Sequence, residues 1–239
     1  MLLRAQELFG YTIRATDGDV GTVRNCLFDD KLWTIRYLVV ETGNWLSGRR
    51  VLVSPASFGE PDKQWPVLPV LLTKEQVRNS PDVDTDLPVS RQREIAMNLY
   101  YGWPDYVAAE PEFARHAGGA PPEAEELAGD PHLRSARDVI GYRIQTPDGD
   151  LGHVEDFIVD TQTWVIRYMV IDTLNWLPGK KVLVAPEWIE QVSWPVGTVA
   201  VGLPREQVAS GPEYDPAVSI NRVYEEELYA HYGRRGYWE

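Results

Sequence analysis

Apolar and polar positions alternate along most of this chain in short runs, which is the pattern of β-strands rather than of long helices. Residues 11–16 and 20–29 are two such runs on either side of an Asp-Gly pair, the dipeptide that favours a tight hairpin turn. Residues 34–42 follow with β-branched and aromatic side chains, and both of their alternating sets are mostly apolar. Such a strand is expected in the centre of a sheet, where both of its faces are covered.

Helical signals are short and fall between and after the strands. Thr73 and Gln76 have the spacing of a capping box, which predicts a helix that begins just after Thr73. Longer helices are predicted near residues 90–101 and near residues 219–232. These features predict a mainly β fold with short helices, of the α+β class.

The same pattern occurs twice in the chain. Residues 10–55 align with residues 141–186 without a gap at an offset of 131, and 23 of the 46 pairs are identical. A duplication of this kind predicts two copies of one domain. The predicted domains are residues 1–103 and 133–239, and residues 104–132 are predicted to be an acidic linker rich in Pro, Ala and Glu.

Charge and composition narrow the possible partners and the location. The net charge is −13, to which residues 104–132 contribute seven acids and one base. So acidic a chain is expected to bind neither nucleic acid nor an anionic membrane. We find no apolar run of about 18 residues and no signal peptide, which predicts a cytoplasmic protein without an integral membrane segment. The single cysteine, Cys26, aligns with Phe157 and is expected to be a small buried apolar residue.

Four features together resemble one family: a Gly-hydrophobic start, the DG-D-x-G hairpin, the IRYLVV strand and the VLV-x-P strand. This is the PRC-barrel family, named after the cytoplasmic domain of the photosynthetic reaction-centre H subunit. It also includes the C-terminal domain of the ribosome maturation factor RimM. Residues 175–189 and 205–216 are similar to tandem bacterial members of the family.

The resemblance implies a fold and a general role. The fold would be two tandem PRC-type β-barrels, small and mostly antiparallel, which we expect to be related by pseudo-two-fold symmetry. The role implied is binding and assembly rather than catalysis, and the family offers no catalytic residues to carry over. This chain shows neither the transmembrane helix of the H subunit nor the ribosome-binding barrel of RimM, so neither specific role transfers.

The residues that could carry chemistry do not form a catalytic or metal-binding pattern. The Asp-Gly-Asp triplets at 17–19 and 148–150 run directly into strands, so they are interpreted as hairpin turns rather than calcium loops. None of the four histidines has another histidine or a cysteine three or four residues away. We therefore expect no catalytic residue, no metal, no cofactor and no enzymatic activity.

Two tryptophan loops are candidate interaction sites. Asn44 and Trp45 recur as Asn175 and Trp176, each pair followed by a glycine and two basic residues. An exposed loop tryptophan would be a binding anchor. The alternative is that both indoles cap the ends of the barrels or pack between them.

Arg36 and Arg167 are the third pair of candidates, because they interrupt otherwise apolar strands at the same position. A buried arginine requires a carboxylate partner. The alternative is a site for an anionic ligand. The partners considered from the sequence are Glu41 and Asp172, or Glu7 and Asp138.

The sequence thus favours an interaction or assembly module without its own chemistry. The partner would be a protein of unknown identity, with pairing of the two barrels inside the chain and possible homo-oligomers. Three other functions stay open at this point. They are a small-ligand carrier with a groove between the barrels, a ribosome- or RNA-associated factor by analogy with RimM, and an electron-transfer scaffold like the reaction-centre H subunit.

Overall fold

The structure is a computed structural model, and it describes residues 1–62, 65–81, 91–103, 132–173 and 179–239, without the side chains of residues 91–93. The predicted acidic linker lies outside the described residues, except for His132. Asn175 and Trp176 also lie outside them.

The described chain is mainly β-sheet with a few short helices, as the sequence predicted. The strands are β1 Leu2–Arg4, β2 Thr12–Ala15, β3 Gly18–Asp29, β4 Thr34–Thr42, β5 Arg50–Val53, β6 Val67–Pro69, β7 Leu133–Ser135, β8 Arg143–Thr146, β9 Gly149–Asp160, β10 Val165–Asp172, β11 Lys181–Val184, β12 Ile189–Ser193 and β13 Thr198–Val201. The helices are α1 Ala5–Leu8, α2 Lys74–Arg78, α3 Arg91–Tyr101, α4 Ala136–Val139, α5 Arg205–Ala209 and α6 Arg222–Tyr232.

The chain divides into two compact units. The N-terminal unit is Glu7–Ser135, and the C-terminal unit combines Met1–Gln6 with Ala136–Glu239. In the N-terminal unit β6 lies parallel to β2, and β2, β3, β4 and β5 follow as antiparallel neighbours. In the C-terminal unit β12 and β13 are antiparallel, β13 is parallel to β8, and β8, β9, β10 and β11 follow as antiparallel neighbours.

The first strand of each repeat belongs to the unit built mainly from the other repeat. Strand β1 pairs with β9 in the C-terminal unit, and β7 pairs with β3 in the N-terminal unit. The sequence repeat assigns β1 to the first domain and β7 to the second, whereas each of these strands lies in the opposite structural unit. The register is the same in both pairs: Leu2 lies opposite Asp160, and its equivalent Leu133 lies opposite Asp29.

The core of the N-terminal unit is centred on β4. Both alternating sets of this strand are buried, which confirms that it is covered on two faces; the buried residues are Ile35, Arg36, Tyr37, Leu38, Val39 and Val40. Cys26 of the neighbouring strand β3 is fully buried, as expected from its alignment with the buried Phe157.

The Asp-Gly hairpins are confirmed, and their aspartates have a second structural role. Ala15 pairs with Gly18 across the first turn, and Gly18 has the positive φ of +133° that favours glycine. Asp17 accepts a hydrogen bond from the backbone N–H of Lys74, the first residue of α2, at 2.8 Å. Asp148 accepts the equivalent bond from Arg205 at the start of α5. The acidic triplets thus join each hairpin to a helix.

The second glycine of the hairpin motif allows two backbones to approach closely. A Cβ atom on Gly21 would overlap the carbonyl oxygen of Glu41 on β4. We therefore expect Gly21→Ala to lower the free energy of unfolding by about 1–3 kcal/mol, because the backbone of β4 must shift. Gly43→Ala is the matched control, since its Cβ would meet nothing closer than 3.8 Å and the other repeat has Leu174 there. Urea unfolding curves in which both variants lose the same stability would contradict this account.

Candidate functional site

A buried arginine cluster lies between β4 and α3 of the N-terminal unit. The Arg36 side chain is 1% exposed, and its guanidinium donates to Asp29 Oδ2 at 3.2 Å and to Glu94 Oε1. The Tyr37 hydroxyl donates to the same Glu94 oxygen at 2.9 Å. The buried Asn98 lies within hydrogen-bond distance of that hydroxyl, at 3.1 Å. These groups form what we call the arginine cluster.

Local structure holds each carboxylate in place. Asp29 ends β3 and accepts the backbone N–H groups of Lys31 and Leu32 at 2.9 and 3.0 Å, which shapes the turn into β4. Glu94 lies in the first turn of α3, where an acid is favoured by the helix dipole. Glu94 and Met97 are both buried one helical turn apart. The helix therefore buries a carboxylate on the same face as an apolar side chain.

The C-terminal unit has an equivalent but different cluster, which we call the tyrosine cluster. Glu225 Oε1 accepts from the hydroxyls of Tyr168 and Tyr237, both at 2.8 Å. Arg222 lies 3.2 Å from the other carboxylate oxygen and is half exposed. Burial, and then the hydrogen bond to Glu225, raises the pKa of Tyr168, and the same causes raise the pKa of Tyr237 to about 12. Both phenols are therefore neutral hydrogen-bond donors at neutral pH.

Arg167, the equivalent of Arg36, keeps the equivalent aspartate as a partner, because Asp160 corresponds to Asp29 at the offset of 131, but its other neighbour differs. Its guanidinium donates to Asp160 at 3.3 Å and lies 4.1 Å from the centre of the Tyr237 ring. The Arg167 side chain is 20% exposed. Where Arg36 contacts the buried carboxylate of Glu94, Arg167 has a cation–π contact with Tyr237.

The partners of the two arginines differ from those considered from the sequence. Arg36 pairs with Asp29 and Glu94, whereas Glu41 accepts from Arg24 at 2.8 Å. Two carboxylates of the protein surround the Arg36 guanidinium and compensate its charge. This arrangement suits a structural ion pair rather than a site that exchanges ligands.

The first tryptophan loop is described, and its indole is anchored to the barrel. Trp45 is half-buried, and its Nε1–H donates to the carbonyl oxygen of Val20 at 2.6 Å. Lys74 and Arg78 of α2 lie over the ring, 4.6 and 5.7 Å from its centre. Asn44 beside it is exposed. Within the N-terminal unit the indole is therefore held by internal contacts, and an interaction role for this loop stays a prediction.

Sequence reasoning missed Glu94 and Glu225, although the repeat contains a signal for them. The offset of 131 that relates the strands also relates these two glutamates, and it relates Gly102 to Gly233 after the helices. Both glycines have positive φ, of 70° and 62°. Extending the alignment beyond Pro186 would have identified an acid kept at one helical position.

The exposed faces of the two closing helices differ. Ile95 and Leu99 of α3, one turn apart, are 40% and 79% exposed. Their equivalents on α6 are Glu226 and Ala230, which are also exposed. Ile95 and Leu99 form what we call the apolar strip, and it is a feature of the first repeat alone.

Comparisons with known proteins agree with this architecture. A model of the PRC-barrel domain matches residues 2–63 and 131–194, which together make up more than half of the chain. An uncharacterized protein of Deinococcus radiodurans is 34% identical over 84 residues, which is 35% of this chain and 30% of that protein. Among the described residues, no helix combines the length and the apolar character needed to cross a membrane. This chain therefore belongs to the PRC-barrel family and carries two copies of the domain in tandem.

Proposed function

We propose that this protein is a non-catalytic interaction module in which two PRC-barrel domains support the assembly of a protein partner. The observation that carries the proposal is the apolar strip on α3. Leu99 is 79% exposed, and full burial of a leucine side chain is worth about 1.5–3 kcal/mol. The pseudo-two-fold relation between the barrels, expected from the repeat, is part of the same proposal.

The contrast between the repeats supports a protein-binding role for the strip. Both helices kept the buried glutamate that joins them to their strands, Glu94 and Glu225. On the exposed face the second repeat has Glu226 and Ala230 where the first has Ile95 and Leu99. The scaffold thus tolerates polar or small residues at these positions, so the large apolar side chains of α3 are not required by the fold.

Two further features favour a partner that is a protein. The side chains of the arginine cluster, Arg36, Asp29 and Glu94, are buried and engage one another, which leaves them poorly placed for catalysis. The net charge of −13 opposes binding to nucleic acid. An apolar strip on an acidic protein fits a partner that offers an apolar surface, with or without basic residues around it.

Leu99→Glu tests the proposal, with Ala230→Glu at the equivalent position of α6 as the matched control. We expect the leucine variant to lose partner protein at least about tenfold in quantitative crosslinking from the native cell, which corresponds to about 1.4 kcal/mol. The alanine variant should retain the partner at the wild-type level. Far-UV circular dichroism shows whether both variants keep the fold. Equal retention by the two folded variants would exclude the apolar strip as the docking face.

A further inference from the structure

Each unit of this protein is completed by a strand from the other repeat. The pairs β1–β9 and β7–β3 have the same register at the offset of 131. The chain passes between the units at Gln6–Glu7 and again at Ser135–Ala136. Each repeat therefore donates its first strand and receives that of the other, which is a reciprocal strand exchange.

The strand β1 is bound in the C-terminal unit by both packing and hydrogen bonds. Leu3 is 4% exposed. The Gln6 backbone N–H donates to Asp156 Oδ1 at 3.2 Å, and its side-chain amide donates to the Glu155 carbonyl oxygen at 2.7 Å. The Thr161 N–H donates to the Met1 carbonyl oxygen at 2.9 Å. Residues 1–6 thus make specific contacts throughout.

The strand β7 is bound in the N-terminal unit by an ion pair, Arg134–Asp30, that has no equivalent in the β1–β9 pair. Arg134 pairs with Asp30 at 2.8 Å, and His132 lies 2.9 Å from the same carboxylate. At the offset of 131, Leu3 stands in place of Arg134, and Thr161 stands in place of Asp30. If β1 paired inside its own repeat, Leu3 would lie where Arg134 compensates Asp30.

Each strand therefore matches one site, and that site is on the other repeat. Matching depends on the side chains and the register, and it does not require that both repeats belong to one chain. A second copy of the chain offers the same two sites with the same residues. Two copies can satisfy all four strand sites when repeat 1 of each copy pairs with repeat 2 of the other, which gives a closed symmetric dimer.

We propose that this protein forms strand-exchanged dimers, in which β1 of one copy pairs with β9 of a second copy and β7 with β3. The dimer has the same contacts as the single chain, so the equilibrium between the two depends only on whether a strand meets its site within one chain or on a second copy. Two binding modules joined in one chain meet at an effective concentration of about 1 mM. The single chain then dominates at low concentration, and the dimer forms where many copies are gathered together.

The test uses the full chain with Arg4→Cys and Ile158→Cys, which are opposite one another in the β1–β9 pair, in a Cys26→Ala background. The protein is refolded from denaturant at a range of concentrations, oxidised, and analysed on a non-reducing gel and by size exclusion. With a dissociation constant equal to the effective concentration, we expect about half of the chains in disulfide-linked dimers near 1 mM and about 2% near 10 μM.

The outcomes separate strand exchange from ordinary association. Linkage within single chains at every concentration, with one monomer peak, would overturn the proposal. Dimers on size exclusion whose disulfides lie within single chains would also overturn it, because the copies would then associate without exchanging strands. A second measurement tests for the dimer itself and requires no substitution: unlabelled and ¹⁵N-labelled wild-type chains are refolded together. Native mass spectrometry should detect mixed dimers near 1 mM and not near 10 μM, and their absence at both concentrations would count against the proposal.

Discussion

Replacing Glu94 with glutamine should lower the free energy of unfolding by about 2–3 kcal/mol, the upper part of the range for hydrogen bonds to charged groups, because Asp29 still compensates the charge of Arg36. Arg36 is 1% exposed and its guanidinium engages Glu94 and Asp29. The amide has nearly the shape of the carboxylate, so the packing is conserved. The loss of unfolding free energy therefore measures the contribution of the negative charge of Glu94. Asp29 remains an ion-pair partner of the buried guanidinium.

Glu225→Gln is the matched control, at the equivalent position of α6. Glu225 is also buried, but its partners are two neutral phenols and a half-exposed arginine, Arg222. An amide oxygen still accepts from a phenol, so we expect a loss of about 1–2 kcal/mol, the difference between a hydrogen bond to a charged acceptor and one to a neutral acceptor. Guanidinium unfolding followed by tryptophan fluorescence and circular dichroism measures both variants. Equal losses, or a larger loss in Glu225→Gln, would show that the Arg36–Glu94 ion pair contributes less to the free energy of unfolding than we predict.

The local features of the fold could be predicted because they depend on neighbouring residues. The Asp17-Gly18 hairpin follows from turn chemistry, and the Thr73 capping box is present with both of its hydrogen bonds. The burial of both faces of β4 follows from its apolar residues at successive positions. Each of these predictions needed a window of only a few residues.

The partners of Arg36 could not be predicted in the same way. Glu94 is 58 residues away in sequence, and the two meet only because α3 packs against β4. The nearer Glu41 was the natural choice from the sequence, yet it lies beside Arg24. A carboxylate inside a helix also resembles an ordinary surface residue until its equivalent, Glu225, is recognised at the same offset.

The strand exchange was missed for a different physical reason. A repeat makes its two copies locally equivalent, so hydrophobic periodicity does not indicate whether Leu2 pairs in its own repeat or in the other. The distinction rests on Asp30 and Arg134, which form an ion pair, and on Thr161 and Leu3, which replace them. Positions where duplicated strands differ are therefore the ones that identify an exchanged pair.

Asp156 is the second residue whose substitution should have a large effect, because it is a buried acid beside the exchanged segment. It is 2% exposed, and its Oδ1 accepts from the N–H groups of Phe157 and Gln6 at 2.8 and 3.2 Å. Burial raises its pKa from 3.8 to about 6, and the charge of Glu155 adds to the rise while that of Arg4 opposes it. The first repeat has the neutral Asn25 at this position.

The sign of the pH dependence follows from the raised pKa. Between pH 3.8 and about 6 the folded protein holds a proton on Asp156 that the unfolded chain releases. The stabilisation is complete below pH 3.8 and is lost as the pH rises through about 6. A rise of about two pKa units corresponds to about 3 kcal/mol.

At neutral pH, ionisation of the buried Asp156 lowers the free energy of unfolding of the wild type. Asp156→Asn should remove this loss, because the amide does not ionise. Relative to wild type, the variant should gain about 3 kcal/mol of unfolding free energy between pH 3.5 and pH 7. Urea unfolding at a series of pH values measures this difference and separates it from the titration of the other carboxylates. Gln6 keeps its acceptor, because the amide oxygen can take the place of Oδ1.

Asp148→Asn on the neighbouring hairpin provides the control of opposite sign. The hydrogen bonds from the Arg205 N–H and the Thr146 hydroxyl hold the pKa of the exposed Asp148 below its usual value. Its contribution to stability is present above its normal pKa and is lost as the pH falls, so this variant should lose stability relative to wild type as the pH rises. If the two variants changed in the same direction, or if Asp156→Asn followed the wild-type profile, Asp156 would have to be ionised in the folded protein throughout the range. The exchanged strand would then be docked against a carboxylate charge that the protein tolerates in its interior.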